Sequence, residues 1–467
     1  MSRRRQWKNA SAVFLLCAAT AIAAPAQTFT TLVNLNNTST ANPYFVSLVQ
    51  GPDGDFYGTG QNTVFKITPR GALTTLSFVC CAADAGLVLA TDGNFYGTTS
   101  MGGYGCGTVF EITATGALIT LYSFFGNADG CSPMGALIQD TNRTFYGTAQ
   151  QGGEYPDCGN GCGTIFGITS EGKLTALHAF EYPQGYPIAG LVQGTDGNLY
   201  GAEGGSSDPG AIFKISPNGT FTTLHSFNET DGLAPYGKLV EAPDGNFYGT
   251  TWGGGANGNY GTVFKITRQG KLTTLYSFCA QANCQDGAFP WDGLVLGTDG
   301  NLYGTTWGGG ADFVDCTSFQ VGCGTVFQIT PKGVLTTLHS FDVTDGAYPY
   351  GGLVQGTTGV FYGTTSTGGV PTPSPAGAGT IFSLDVGLGP FVTFVQAAGK
   401  VGQTGGILGQ ELTGTTSVSL NGTPANFTVV SDTFLKATVP PGATTGYVTV
   451  TTPSGTFTSN VPFHVIK

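Results

Sequence analysis

Four carboxylates recur in one short phrase. Asp129, Asp231, Asp286 and Asp345 each open an Asp-Gly-x-x-Pro run. A ring of carboxylates near an axis could hold a cation or run acid–base hydrolysis. The competing reading is an Asx turn closed by Gly and stiffened by Pro. Four near-identical copies favour the turn, because a catalytic dyad seldom needs four. His178, His225 and His339 share one site of a repeated strand, where Tyr122 and Tyr276 stand in other units. A general base must reach a substrate, and this strand is the outermost of its unit, so a structural role is favoured. No calcium loop of the Asp-x-Asp-x-Asp-Gly type occurs, and the glycine runs at 253–255 and 308–310 are not followed by the Lys-Ser/Thr of a phosphate cradle. No metal or cofactor is expected.

The aromatic residues are the stronger lead. Trp252 and Trp307 follow Gly-Thr-Thr at matched positions of neighbouring units, and Trp291 lies in the loop between them. Rigid rings rimmed by Asn, Asp and Gly suit flat polar ligands such as sugars. The alternative is that these rings wedge between units beneath the loops. Trp252, Trp291 and Trp307, with Asp286, are the candidate ligand contacts.

The elements that position these residues are repeats. Tyr-Gly pairs begin at Tyr57, Tyr96, Tyr146, Tyr200, Tyr248, Tyr303 and Tyr362, each followed by a short Gly-Thr-Val-Phe-like run. A period of about 40 to 60 residues with several short strands per unit is the signature of a propeller. In the fifth unit four strands are expected at 238–242, 246–251, 261–267 and 271–278; we name them a to d. The a–b connection is an Asp-Gly hairpin, as at Asp244, because both turn residues can take positive φ. The third and seventh units depart from it, with Asn142-Arg143 and Thr358-Gly359. The last unit lacks its strand d, while residues 28–35 read as one at the other end of the chain. The expected fold is all-β, a seven-bladed β-propeller over residues 27–386 closed by its N-terminal strand, which hides both edges of an open array. A linker at 387–390 precedes a small Ig-like sandwich at 391–467.

Strand direction then sorts the loops. The a–b and c–d turns share one face, and the long b–c and d–a loops share the other. The cysteines and the loop tryptophans fall on that second face, where loops carry binding.

Composition excludes several classes. The chain has 467 residues, 10% charged, a net charge of −11 and 76 glycines. A surface so poor in Lys and Arg argues against nucleic acid and anionic membranes. Residues 1–26 read as a secretory signal: Arg3, Arg4 and Arg5, an apolar run, then Ala-Pro-Ala. No later stretch is apolar and long enough to span a membrane. An exported chain with ten remaining cysteines is expected to form disulfides. Cys158–Cys162, Cys279–Cys284 and Cys316–Cys323 are local pairs within single loops. Cys80, Cys81, Cys106 and Cys131 admit three pairings. Cys106 with Cys131 is preferred, because both lie on the loop face at opposite ends of one c–d hairpin.

The repeat resembles the GloVer-type tandem repeat family of exported bacterial proteins. The likeness rests on GLVQGTDGNLYG at 190–201, GTVFKITRQGKLTTLYSF at 261–278 and their counterparts in every unit. The tail resembles an IPT/TIG domain through SVSLNG at 417–422, ATVPPGA at 437–443 and GYVTVTTPSG at 446–455. The resemblance implies an exported surface-type protein and carries over no catalytic residues. The expected function is non-enzymatic binding or adhesion to an extracellular glycan or protein through the long-loop face, in the periplasm, at the cell surface or outside the cell. A propeller-type polysaccharide hydrolase or lyase using acidic loop residues, and a structural spacer, are the alternatives.

Overall fold

The computed structural model describes residues 27–35, 47–153, 161–204, 209–311, 316, 322–369 and 377–466. Between residues 28 and 385 the chain forms seven four-stranded antiparallel sheets that resemble propeller blades. In the fifth sheet the strands are Val240–Glu241, Phe247–Thr251, Thr262–Ile266 and Leu272–Ser277. They pair in chain order, a to d. The seventh sheet draws its outermost strand from the other end of the chain. Thr28–Asn34 pairs antiparallel with Thr380–Asp385, with Thr28 opposite Asp385 and Asn34 opposite Thr380.

Strand a is shorter than the sequence suggests. It pairs over two residues, not five, in each sheet. The segments leading into it crowd one another. A Cβ on Gly190 would stand 2.9 Å from the Ala136 carbonyl, and one on Gly293 would overlap the Lys238 carbonyl. These backbones abut their neighbours across sheets, so the ladder within the sheet stops early.

The Asp-Gly-Asn-Phe-Tyr-Gly phrase is a single hydrogen-bonded device. Asp244 Oδ1 accepts from the Asn246 N–H at 3.0 Å, closing the turn, and Oδ2 accepts from the Tyr248 hydroxyl at 2.8 Å. Asp53, Asp92, Asp196 and Asp299 serve Tyr57, Tyr96, Tyr200 and Tyr303 in the same way. In the third unit Asp140, two residues before Asn142, accepts from the Asn142 and Thr144 N–H groups at 2.8 and 2.9 Å. The irregular turn there keeps its carboxylate by moving it.

Two glycines of the repeat answer to sterics. Phe264 and Leu239 lie over Gly249, where a Cβ would meet Phe264 Cζ at 2.7 Å and Leu239 Cδ2 at 2.8 Å. Gly261 has φ +94°, and a Cβ there would meet Pro290 Cδ at 2.7 Å and overlap the Thr251 carbonyl. Pro290 is the proline of the following Asp-Gly-x-x-Pro run, so two motifs of the repeat meet at one contact. Where Asn62 replaces this glycine in the first unit, the next loop lacks the motif as well.

Neighbouring sheets are joined by the buried Phe-Tyr pair of strand b. Tyr57 stacks on Phe95, Tyr96 on Phe145, Tyr200 on Phe247 and Tyr303 on Phe361, with centroids 4.1 to 4.2 Å apart. Tyr362 of the seventh sheet meets Phe56 of the first at 4.1 Å. Offset aromatic contacts of this kind add to the burial of each ring.

Residues 391–466 form two further four-stranded sheets around Leu412, Leu435, Val450 and their neighbours. This segment sits against the turn side of the propeller-like repeats. Thr433 Oγ1 donates to the Pro52 carbonyl at 2.7 Å, Gln410 Nε2 donates to Thr357 Oγ1 at 2.7 Å, and the Phe391 N–H donates to the Thr357 carbonyl at 3.0 Å. Pro52 and Thr357 flank a–b turns. Leu408 enters the apolar core shared by the first and second sheets.

Candidate functional site

The Asp-Gly-x-x-Pro carboxylates are loop organisers. Asp286 is fully buried. It accepts from the Tyr276 hydroxyl at 2.8 Å, the Ala280 N–H at 2.9 Å and the Gln281 N–H at 3.1 Å. It was expected as a ligand contact; in the structure its carboxylate holds three donors of its own strand and loop. Asp129 holds Tyr122 and the Phe125 N–H in the same way. Asp231 and Asp345 meet His225 Nε2 at 3.0 Å and His339 Nε2 at 2.8 Å. The variable Tyr or His of strand d is thus the partner of the following loop's aspartate. His178 has no such aspartate in its loop and stacks on Phe221 at 3.9 Å; burial lowers its pKa.

The cysteines tie loops on the same side. Cys106 and Cys131 are bonded across 25 residues, Cys279 and Cys284 across five, and Cys316 and Cys323 across seven. Cys162 is disulfide-bonded, and Cys158 lies outside the described residues. Cys80 and Cys81 are free thiols. As chain neighbours they have Cα atoms closer than the usual span of a disulfide.

The structure gathers the three tryptophans. The Trp252 centroid lies 4.9 Å from that of Trp291 and 5.7 Å from that of Trp307. Their roles differ. Trp307 is 6% exposed and stacks on Tyr348 at 4.9 Å. It was expected as a contact ring, and in the structure it packs into a core cluster. Trp252 is half-buried against Phe289 at 4.7 Å. Trp291 is half-buried between Tyr236 at 5.1 Å and Tyr350 at 5.2 Å.

Trp291, Tyr236 and Tyr350 border a channel of about 1200 Å³ lined by strand a of each sheet. They occupy one repeat position, three residues before the Leu-Val of strand a in units five, six and seven. Met134 and Ile188 hold that position in units three and four. The rim is thus aromatic in units five to seven and aliphatic in units three and four. At the turn end the channel meets Gln396, Val461 and His464 of the C-terminal segment.

Just inside the rim the repeat is nearly all small. The residue before Leu-Val is Ser47, Gly86, Ala136, Gly190, Lys238, Gly293 and Gly352; the residue before that is small at every described position except Asp292. Asp292 Oδ2 accepts from Ser47 Oγ at 2.8 Å and the Gly352 N–H at 2.6 Å, and Oδ1 accepts from its neighbour Gly293 N–H at 2.6 Å. It clips the sixth, seventh and first sheets together. Lys238 lines the channel with no hydrogen bond or ion pair to any described residue. Burial lowers its pKa, and Asp292 nearby opposes that effect. Lys238, Asp292 and Tyr350 were missed from sequence because each unit's Leu-Val was read as strand alone. Aligning the units on it exposes both charges as departures from a small-residue rule.

Among the described residues no group of three or more His, Cys, Asp or Glu gathers to hold a metal, and no helix is long and apolar enough to cross a membrane. An ammonium, a clipped carboxylate and an aromatic rim can bind; Asp292, held by three donors, is a poor proton shuttle.

The repeat matches the family model described as the Gloeobacter/Verrucomicrobia repeat over residues 59–242 and 202–429. The chain belongs to this repeat family. No curated protein matches it. Among solved structures it is similar to a protein of unknown function from Bacteroides thetaiotaomicron, 14% identical over 77% of this chain and 76% of that one, with TM-score 0.43. A second likeness is the extracellular domain of a protein named as a hybrid two-component system from the same organism, 10% identical, covering 94% of this chain but 57% of that one, at 0.49. A third is a gluconolactonase from Xanthomonas campestris, 14% identical over 61% and 88%, at 0.40. Scores below 0.5 carry no argument about function.

Proposed function

We propose that this repeat-family chain is an exported binding protein that takes a glycan at the loop-side mouth of its channel. In this reading the seven sheets close into one seven-bladed ring, and residues 391–467 are an Ig-like domain of the IPT/TIG kind covering the turn side. The observation that carries it is Trp291, half-buried between Tyr236 and Tyr350 on the channel rim. Amphipathic rings at the mouth of a cavity offer flat apolar faces to a sugar while their polar edges stay wet. The disulfides fit an oxidising compartment, and residues 1–26, which lie outside the described residues, fit a secretory signal. The four Asp-Gly-x-x-Pro carboxylates, the candidates of the enzymatic reading, are hydrogen-bonded within their own loops.

A glycan-array screen of the protein from residue 27 onward tests this. Stacking on one ring is worth about 1 to 2 kcal/mol by analogy with other aromatic contacts, so Trp291→Ala should weaken the best ligand about 5- to 30-fold. Trp307→Ala should lower stability. Unchanged affinity in Trp291→Ala would remove the site from this rim.

A further inference from the structure

The channel holds one cation, Lys238, that makes no hydrogen bond or ion pair with any described residue, although the Asp292 carboxylate lies near enough to act on its charge. Of the carboxylates that line it, Asp292 is taken by three donors, and Asp140 and Asp196 by their turns. Glu241 bonds the Thr195 N–H at 3.0 Å and pairs with Arg268. Lys238 has no hydrogen bond or ion pair with any described residue. It also stands where six of seven units place Gly, Ala or Ser. An enclosed ammonium is costly unless an anion meets it, and nothing in the scaffold demands a lysine there, because the other units build the same strand without one. Lys238 is close in sequence to rim residue Tyr236, and its neighbour across the sheets, Asp292, follows Trp291 directly. The cation therefore lies one step inside the aromatic arc.

Resting on the rim reading above, we infer that the ligand is a saccharide carrying one negative charge, a carboxylate or a sulfate ester, which Lys238 receives while the sugar ring stacks at Trp291. A single ammonium selects for charge, not for geometry, so both anion types qualify. Asp292 keeps the charge requirement strict: a multiply anionic group would meet its carboxylate beside Lys238.

The test uses four probes on the parent protein by titration calorimetry at low salt: an oligogalacturonate, its methyl ester, a sulfated galactan oligosaccharide and its desulfated form. The parent should bind at least one charged probe about tenfold or more tighter than its neutral counterpart, as expected for a hydrogen bond to a charged group. Which charged probe wins separates carboxylate from sulfate ester. Lys238→Met should erase that preference and leave the neutral probe's affinity in place, while Lys238→Arg should retain the preference. Lys238→Met should also melt no lower than the parent, since it removes an unpaired enclosed charge. Equal affinity of charged and neutral probes for the parent overturns the charge assignment and leaves the rim reading standing. Binding of none of the four overturns both. Retention of the preference in a folded Lys238→Met protein places the anion elsewhere and also overturns the inference.

Discussion

Asp244 works at both of its oxygens, one closing the turn and one holding Tyr248. Tyr248→Phe should therefore cost about 1 kcal/mol, one buried hydrogen bond, whereas Tyr248→Ala should cost about 3 to 5 kcal/mol through the cavity it leaves; urea unfolding measures both. The same pairs set the response to pH. Burial pushes the Asp196 and Asp244 carboxyls up, but hydrogen bonds from the following Asn and Tyr more than reverse it, so both sit below the ordinary value. Their contribution is present above the ordinary carboxylate pKa and is lost as pH falls through the lowered one. Burial and its bond to Asp129 push the Tyr122 phenol up to about 12. Its contribution is full below the ordinary 10 and lost as pH rises through about 12. Unfolding free energy from these groups should be flat between those limits and fall at each end; a step near neutrality would contradict the assignment. The Asp-Gly turn was legible as a hairpin, but its tie to the tyrosine four residues on was not, because spacing alone does not say where a side chain points. The burial of Asp286 was not legible for the same reason. Asp286→Asn should destabilise the loop and leave ligand affinity unchanged.

Strands b, c and d were legible because their Phe, Tyr, Val and Thr runs carry or follow glycines fixed by packing. Gly249 is the test case. Its missing side chain is the space that Phe264 and Leu239 fill, so Gly249→Ala should cost about 1 to 3 kcal/mol by overpacking. Strand a was overlong in the sequence reading because its apolar residues look like ladder, while its actual neighbours are other strand a segments. That convergence is also why the channel lining could not be read unit by unit. Among the crosslinks, loop length orders the effects. Removing Cys106–Cys131, 25 residues apart, should cost about 3 to 4 kcal/mol, and removing Cys279–Cys284, five apart, about 2 kcal/mol. Equal melting shifts for the two double Ser variants would contradict this order.

At the scale of the whole molecule, the last sheet takes its outermost strand from the N-terminal end of the chain and meets the first sheet at one aromatic contact. Thr28–Asn34 completes the sheet of Thr380–Asp385, and Tyr362 meets Phe56. Deleting residues 27–35 should bare the edge of Thr380–Asp385 and the Phe341 and Phe382 rings against which Phe29 lies, giving aggregation or a large fall in melting temperature. The repeat made this strand pairing legible, since an unpaired strand at one end answers a missing one at the other. The seat of residues 391–466 on the turn side was not legible, because the contacts at Pro52, Thr357 and Leu408 carry no sequence mark. That seat puts residues 391–466 at the turn end of the channel, away from the Trp291 rim. The most direct measurement is a crystal structure of the protein with the tightest-binding saccharide from the array. A sugar ring stacked on Trp291 with its anionic group toward Lys238 is the expected result. A saccharide bound on the turn side or on residues 391–466, with the channel mouth empty, would contradict it.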